Sequence, residues 1–173
     1  MTAEIAPAPS TALSAADELL WRRFSAVLST VPAALDEQLR AATGLIHYQY
    51  TVLDALSHQE GRRLQLAQIA RAQDSSLSRL SHSMTRLEAA GYVERTTCDH
   101  DRRANWAVLT DAGAAIVERF RTEYTRIIRE TLLDRVPSDQ RESLAALLTA
   151  LLPAEVADQC TSLDADLDAQ VDA

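Results

Sequence analysis

The sequence predicts a mainly α-helical fold in which a small helical core ends in a β-hairpin and carries long helices at both ends. Three observations predict it. Apolar residues recur at helical spacing through most of the chain. Gly44, Gly61, Gly91 and Gly113, the four glycines, fall between those periodic segments, where helix ends and turns need them. Two short runs rich in β-branched and aromatic residues, "YVERTT" and "NWAVLT", enclose the polar loop "CDHDRRA". With 173 residues, 47% of them apolar, the chain has the size and content of one domain with a packed core.

The elements follow in order. Leu20, Phe24, Val27, Leu28, Val31, Leu35 and Leu39 define one long first helix, with a kink expected at Pro32. A second helix runs from about Tyr48 to Ser57, and "GRRLQ" after Gly61 supplies a short strand. Leu66, Ile69 and Ala70 mark a short third helix, and after a polar break Leu77, Leu80, Met84 and Leu87 form the apolar stripe of a fourth. The hairpin comes next. Thr110 is placed to cap a helix whose one face holds Ile116, Val117, Phe120, Tyr124, Ile127, Ile128 and Thr131. Pro137 starts a last helix bearing Leu144, Leu147, Leu148, Leu151 and Leu152, which ends near Pro153. This order is that of a winged helix-turn-helix between helical arms.

Charge distribution points to a role for the core. The formal net charge is −8, yet residues 62–103 hold eight arginines against five acids and form the only net-basic segment. All 17 basic residues are arginine, a bias that genomic base composition can produce without any functional cause. Opposite the stripe of the fourth helix stand Ser75, Ser78, Arg79, His82 and Arg86, side chains suited to phosphate oxygens or base edges, with no carboxylate among them. Ser75 and Ser76 at its start are expected to offer backbone N–H groups and the positive end of the helix dipole to phosphate. An ordinary solvated helix face is the competing reading. The hairpin shifts the balance toward nucleic acid, because its tip presents Arg102 and Arg103 on a narrow projection that can enter a minor groove. Arg95 on the first strand joins this basic set, and Asp101 can orient Arg103 through a charge-assisted bond.

The chain resembles the MarR family of bacterial transcriptional regulators over roughly residues 13–152. The resemblance rests on "LRAATGL" at 39–45, "LAQIA" at 66–70, "LSRLSHSMTRLEAAGYVER" at 77–95 and "CDHDRRANWAVLTDAG" at 98–113. It implies an obligate homodimer whose fourth helix enters the major groove of double-stranded DNA, with Arg103 in the minor groove, Asp101 orienting it and Arg102 on a phosphate. It also implies release from DNA by a small aromatic effector bound between the arms and the DNA-binding lobe; Trp21, Arg22, His47, Tyr48 and Tyr124 are the candidates here, although aromatics at helical spacing also serve as core. Ser81, His82 and Ser83 give the middle of the fourth helix a smaller, less basic character than many relatives show, so the operator sequence is not carried over.

The expected organisation is a flexible segment at 1–12, a single winged-helix domain at 13–152 with its DNA-binding core at 61–110 and dimerisation arms at 13–44 and 111–152, and an acidic, disordered tail at 153–173. Leu20, Phe24, Val27, Leu144, Leu147, Leu148 and Leu151 would pair across a two-fold axis, which sets two recognition helices on a pseudo-palindromic operator. Other chemistry finds little support. The four histidines lack metal-ligand spacing, no glycine-rich phosphate loop or G-x-S-x-G elbow is present, and no enzyme, metal or cofactor is expected. With no long apolar run and no secretion-like start, the protein is expected to be cytoplasmic and independent of membranes. Cys98 and Cys160 lie too far apart in sequence to indicate a disulfide framework or a thiolate metal site. The expected function is therefore a ligand-released repressor. Two alternatives stay open: a winged-helix module that binds protein, and a redox-responsive regulator acting through Cys98.

Overall fold

The computed structural model describes residues 12–73, 75–97, 105–154 and 156–158. Helix α1, Ala15–Thr43, starts at Ser14, whose hydroxyl accepts from the Asp17 N–H at 3.2 Å. It ends at Gly44, which takes a left-handed φ of 77° so that its N–H can reach the Arg40 carbonyl. As expected, α1 is one long helix, and it continues through Pro32. Proline has no N–H for the Leu28 carbonyl, but Leu28 and Pro32 are both exposed, so water can take over that bond.

Helix α2, His47–Ser57, is the centre of the core and buries Tyr48, Gln49, Tyr50, Val52, Leu53 and Leu56. A left-handed turn at Gly61 leads to strand β1, Arg63–Gln65, and then to α3, Leu66–Ala72. Helix α4, Leu77–Ala89, buries Leu80, Ser83, Met84 and Leu87. The stripe read from the sequence is corrected at one end, because Leu77 is 61% exposed. It occupies the first position of the helix, and the three-residue step from Leu80 turns it away from the covered face. Strands β2, Val93–Thr97, and β3, Asn105–Leu109, form the hairpin, and β1 pairs with the other edge of β3 to give an antiparallel sheet in the order β1-β3-β2. Leu109 opposite Val93 points the base of the sheet into the core shared with α2, α3 and α4.

Helix α5, Asp111–Thr131, begins where the sequence expected it. The Thr110 hydroxyl accepts from the Gly113 N–H at 3.0 Å and donates to the Gly91 carbonyl at 2.7 Å, joining helix start to hairpin start. Gly113 itself differs from expectation, since it lies in the first turn of α5 and not between elements. A β-carbon there would stand 2.2 Å from the Tyr92 carbonyl oxygen, so the glycine permits a close approach of helix and backbone. Farther along, α5 packs on α1 and α2; Leu39 and Ile127 are fully buried, and Gln38 Nε2 donates to Thr131 Oγ1 at 3.1 Å.

The last helix starts later than Pro137, because a 3-10 turn over Ser138–Gln140 precedes α6, Arg141–Leu151. No residue of α6 is buried. Leu147, Leu148 and Leu151 are 66%, 44% and 66% exposed, and Leu20 and Val27 on α1 are 67% and 50% exposed, while Phe24 and Leu144 are half-covered. Both arms thus carry apolar faces that the chain itself leaves open. Among the described residues no helix is long and apolar enough to cross a membrane. The expected disordered tail at 153–173 begins with a described helical turn, in which the Val156 and Ala157 N–H groups donate to the Pro153 carbonyl. The expectations for residues 1–11, the tail beyond residue 158, Cys98, Cys160 and the wing tip, including Asp101, Arg102 and Arg103, lie outside the described residues.

Candidate nucleic-acid interface

The outward face of α4 is built by its amphipathic spacing. With Leu80, Met84 and Leu87 inward, Ser78, Arg79, His82, Thr85 and Arg86 are all exposed. Its cap is Ser76, whose hydroxyl accepts from the Arg79 N–H at 3.2 Å. Glu88 is the one acid on α4, and Arg95 neutralises it: Nη2 stands 2.9 Å from Glu88 Oε2, and Nε donates to the same oxygen at 3.0 Å. Arg95 Nη2 also donates to Thr85 Oγ1 at 2.7 Å. The face therefore offers hydroxyls, an imidazole and two guanidinium groups without an unbalanced carboxylate. Such a surface can bond phosphate oxygens and base edges.

The arginines of the basic segment divide by partner. Arg62 pairs with Asp111 at 3.1 Å, Arg95 with Glu88, and the Arg63 guanidinium carbon lies 5.2 Å from the centre of the Trp106 ring. Arg71, Arg79 and Arg86 make no ion pair among the described residues. Arg95 is thus a brace between β2 and α4, a role its sequence position did not disclose. Ser75 also departs from expectation. Its N–H is not open to a phosphate, because it donates to the Ala70 carbonyl at 2.9 Å, and its hydroxyl lies 2.6 Å from the Tyr48 hydroxyl.

The five effector candidates do not form one cluster within the chain. His47 and Tyr124 come together where α1, α2 and α5 meet: His47 Nε2 is 3.1 Å from the Tyr124 hydroxyl, and the His47 N–H donates to Asp36 Oδ1 at 2.8 Å. Tyr124 stacks on Tyr50 with centroids 4.4 Å apart, and the Tyr50 hydroxyl donates to the Val117 carbonyl at 3.2 Å. Burial lowers the His47 pKa below its ordinary 6.5, against a smaller opposing pull from Asp36. Burial likewise raises both phenols to about 12, so both are neutral at neutral pH. Tyr48 points elsewhere, under Arg79, whose guanidinium carbon is 4.5 Å from the ring centre. Trp21 and Arg22 sit on the exposed first half of α1, where Trp21 meets Phe24 at 6.3 Å and Arg22 pairs with Glu18 at 2.6 Å. Sequence reading missed Thr85, whose place seven residues after Ser78 puts it on the same face and was a usable signal. It had none for Tyr48 beneath Arg79 or Trp106 beneath Arg63, because those partners are distant in sequence. Among the described residues no group of His, Cys, Asp and Glu is arranged to hold a metal ion.

Comparison with known proteins agrees with this architecture. A model of the MarR family matches residues 43–104. A MarR family transcriptional regulator from Streptomyces coelicolor, solved in complex with DNA, is 31% identical and superposes with a TM-score of 0.77 over 84% of this chain and 94% of its own. AbsC, another MarR family regulator from the same organism, is 30% identical with a TM-score of 0.75, covering 82% of this chain and 95% of its own. The HTH-type transcriptional regulator PapX of Escherichia coli is 28% identical over 111 residues, 64% of this chain and 67% of its own length. These relatives are regulators and not enzymes, and identity of this order over nearly the whole of the solved relatives settles the question the fold raised: the chain belongs to the MarR family of transcriptional regulators.

Proposed function

We propose that this regulator binds a pseudo-palindromic operator in double-stranded DNA as a homodimer in the cytoplasm, acting as a repressor. The observation that carries the reading is the outward face of α4, where Ser78, Arg79, His82 and Arg86 are exposed together and the helix's single acid is neutralised by Arg95. A major-groove helix needs these properties. Ser76 and the α4 N-terminus serve phosphate, with Arg102 and Arg103 on the wing and Asp101 orienting Arg103. The open leucine faces of α1 and α6 support pairing of two chains through Leu20, Phe24, Val27, Leu144, Leu147, Leu148 and Leu151. Two-fold pairing of these arms would hold two α4 helices about one DNA turn apart.

The effector reading narrows to His47 and Tyr124. A neutral imidazole and a phenol at the junction of arm and lobe can pair with an aromatic acid or phenol, and a ligand that favours one arrangement of that junction shifts DNA affinity. Tyr48, which engages Ser75 and Arg79, lies apart from this pair. Trp21 and Arg22 could contribute only from a second chain.

The test is selection of genomic duplexes by the purified protein, repeated with aromatic acids present. Recovery of one pseudo-palindromic sequence, lost from the Arg79→Ala and Arg86→Ala variants, is the expected result. Recovery of no preferred duplex, or equal recovery by both variants, overturns the reading and favours the protein-binding module.

A further inference from the structure

Helix α2 sends two consecutive side chains to different neighbours. His47 meets α5, whereas Tyr48 turns to the start of α4. The Tyr48 side chain is 7% exposed and touches the recognition element twice: its hydroxyl lies 2.6 Å from Ser75 Oγ in the turn before α4, and its ring lies beneath the Arg79 guanidinium, 4.5 Å away. That turn is fixed to α2 at a second point, since Thr51 Oγ1 donates to Gln73 Oε1 at 2.9 Å. Ring, hydroxyl and turn therefore move as one piece with α2.

We propose that Tyr48 is a positioning residue for DNA recognition, holding the Arg79 guanidinium in its binding orientation through the ring face. The inference rests on α4 being the DNA-contacting helix. An exposed arginine loses rotamer freedom when it docks, and a guanidinium already stacked on a fixed ring loses less. A carboxylate could orient the side chain too, as Glu88 does for Arg95, but it would cancel the charge that a phosphate requires. A cation held over a ring gives up none of its N–H donors, and the Arg79 side chain makes no hydrogen bond or ion pair among the described residues, so those donors can meet a phosphate or the O6 and N7 of guanine. Arg79 has no carboxylate partner among the described residues, which is the condition this arrangement serves. Arg86, seven residues farther on, has no such platform among the described residues.

The experiment measures the affinity of the full-length protein for its selected operator duplex by fluorescence anisotropy, with thermal denaturation alongside. Tyr48→Leu is expected to weaken binding roughly two- to fivefold, and the loss should vanish when Arg79→Ala is already present. Tyr48→Phe, which keeps the ring, should retain most of the affinity. Because Tyr48→Leu could also unsettle the turn, a second pair keeps shape constant: phenylalanine or 3,4,5-trifluorophenylalanine in place of Tyr48. The fluorinated ring has a depleted face and should bind DNA more weakly than phenylalanine at equal thermal stability. Equal affinity of the two ring variants, or the same loss from Tyr48→Leu with and without the Arg79 side chain, overturns the positioning role. Wild-type protein with no duplex affinity overturns the DNA reading itself and the inference with it, whereas a wild type that binds and an Arg79→Ala that does not, beside indifferent Tyr48 rings, overturns the inference alone.

Discussion

Gly113→Ala separates the two ways of reading a glycine inside a helix. On helix propensity alone the change should stabilise the protein by about 1 kcal/mol, because alanine loses less backbone entropy. The surroundings of Gly113 reverse the sign. Its β-carbon would sit 2.2 Å from the Tyr92 carbonyl oxygen and 2.6 Å from Leu109 Cδ1, and the Tyr92 oxygen is backbone, already accepting from the Thr110 N–H at 3.1 Å. To reach even 3.0 Å, a distance still tighter than ordinary contact, the helix and the hairpin base must part by about 0.8 Å. Overpacking of this kind costs about 1–3 kcal/mol, and the separation also loosens Thr110, which bonds Gly91 and Gly113 together. Set against the propensity gain, a net destabilisation of up to about 2 kcal/mol follows, which in a chain of this size lowers Tm by about 2–4 °C per kcal/mol. Thermal and urea unfolding of wild type and Gly113→Ala would measure it, and operator affinity should fall as well because the wing pivots on the strained contact. A variant more stable than wild type would refute the reasoning.

Three further outcomes are expected. Leu148→Asp should convert a dimer at micromolar concentration to a monomer by sedimentation and lose operator binding, since a carboxylate would be buried in the apolar face of α6; a monomer with unchanged operator affinity contradicts the pairing of the arms. His47, whose folded pKa lies below 6.5, binds its proton less readily than in the unfolded chain, so its contribution to stability is complete above pH 6.5 and is lost as the pH falls below it; urea midpoints should drop toward pH 5 in wild type and drop less in His47→Gln, and equal slopes would refute this. Arg95→Ala should cost only about 0.5–1 kcal/mol of stability at this partly exposed pair, yet weaken DNA binding by releasing the Glu88 carboxylate; adding Glu88→Ala should restore affinity, and a double variant as weak as the single would show that Arg95 touches DNA directly.

The helical frame was legible because periodicity reports burial directly. Thr110 as a cap and the hairpin were read from local chemistry, and the structure has both. The misses have one physical root, which is that sequence spacing records direction along an element and not what stands opposite. Leu77 fits the stripe in sequence, but nothing covers the first position of α4. Gly113 resembles the other three glycines until the Tyr92 carbonyl is placed against it. The partners of Arg95 and Ser75, which are Glu88 and Tyr48, were likewise not legible from spacing. Contacts such as Tyr48 with Arg79 join residues from separate helices, and no periodicity encodes them.

The account turns on the open face of α4 meeting phosphate and base edges, and the salt dependence of operator affinity addresses that claim most directly. Each phosphate neutralised by an arginine should contribute about −0.9 to the slope of log K against log salt. Wild type is expected to show a steep negative slope with its selected duplex, and Arg79→Ala or Arg86→Ala should reduce its magnitude by about one for each phosphate contact removed. A slope near zero, or no affinity for any duplex at low salt, would contradict the account.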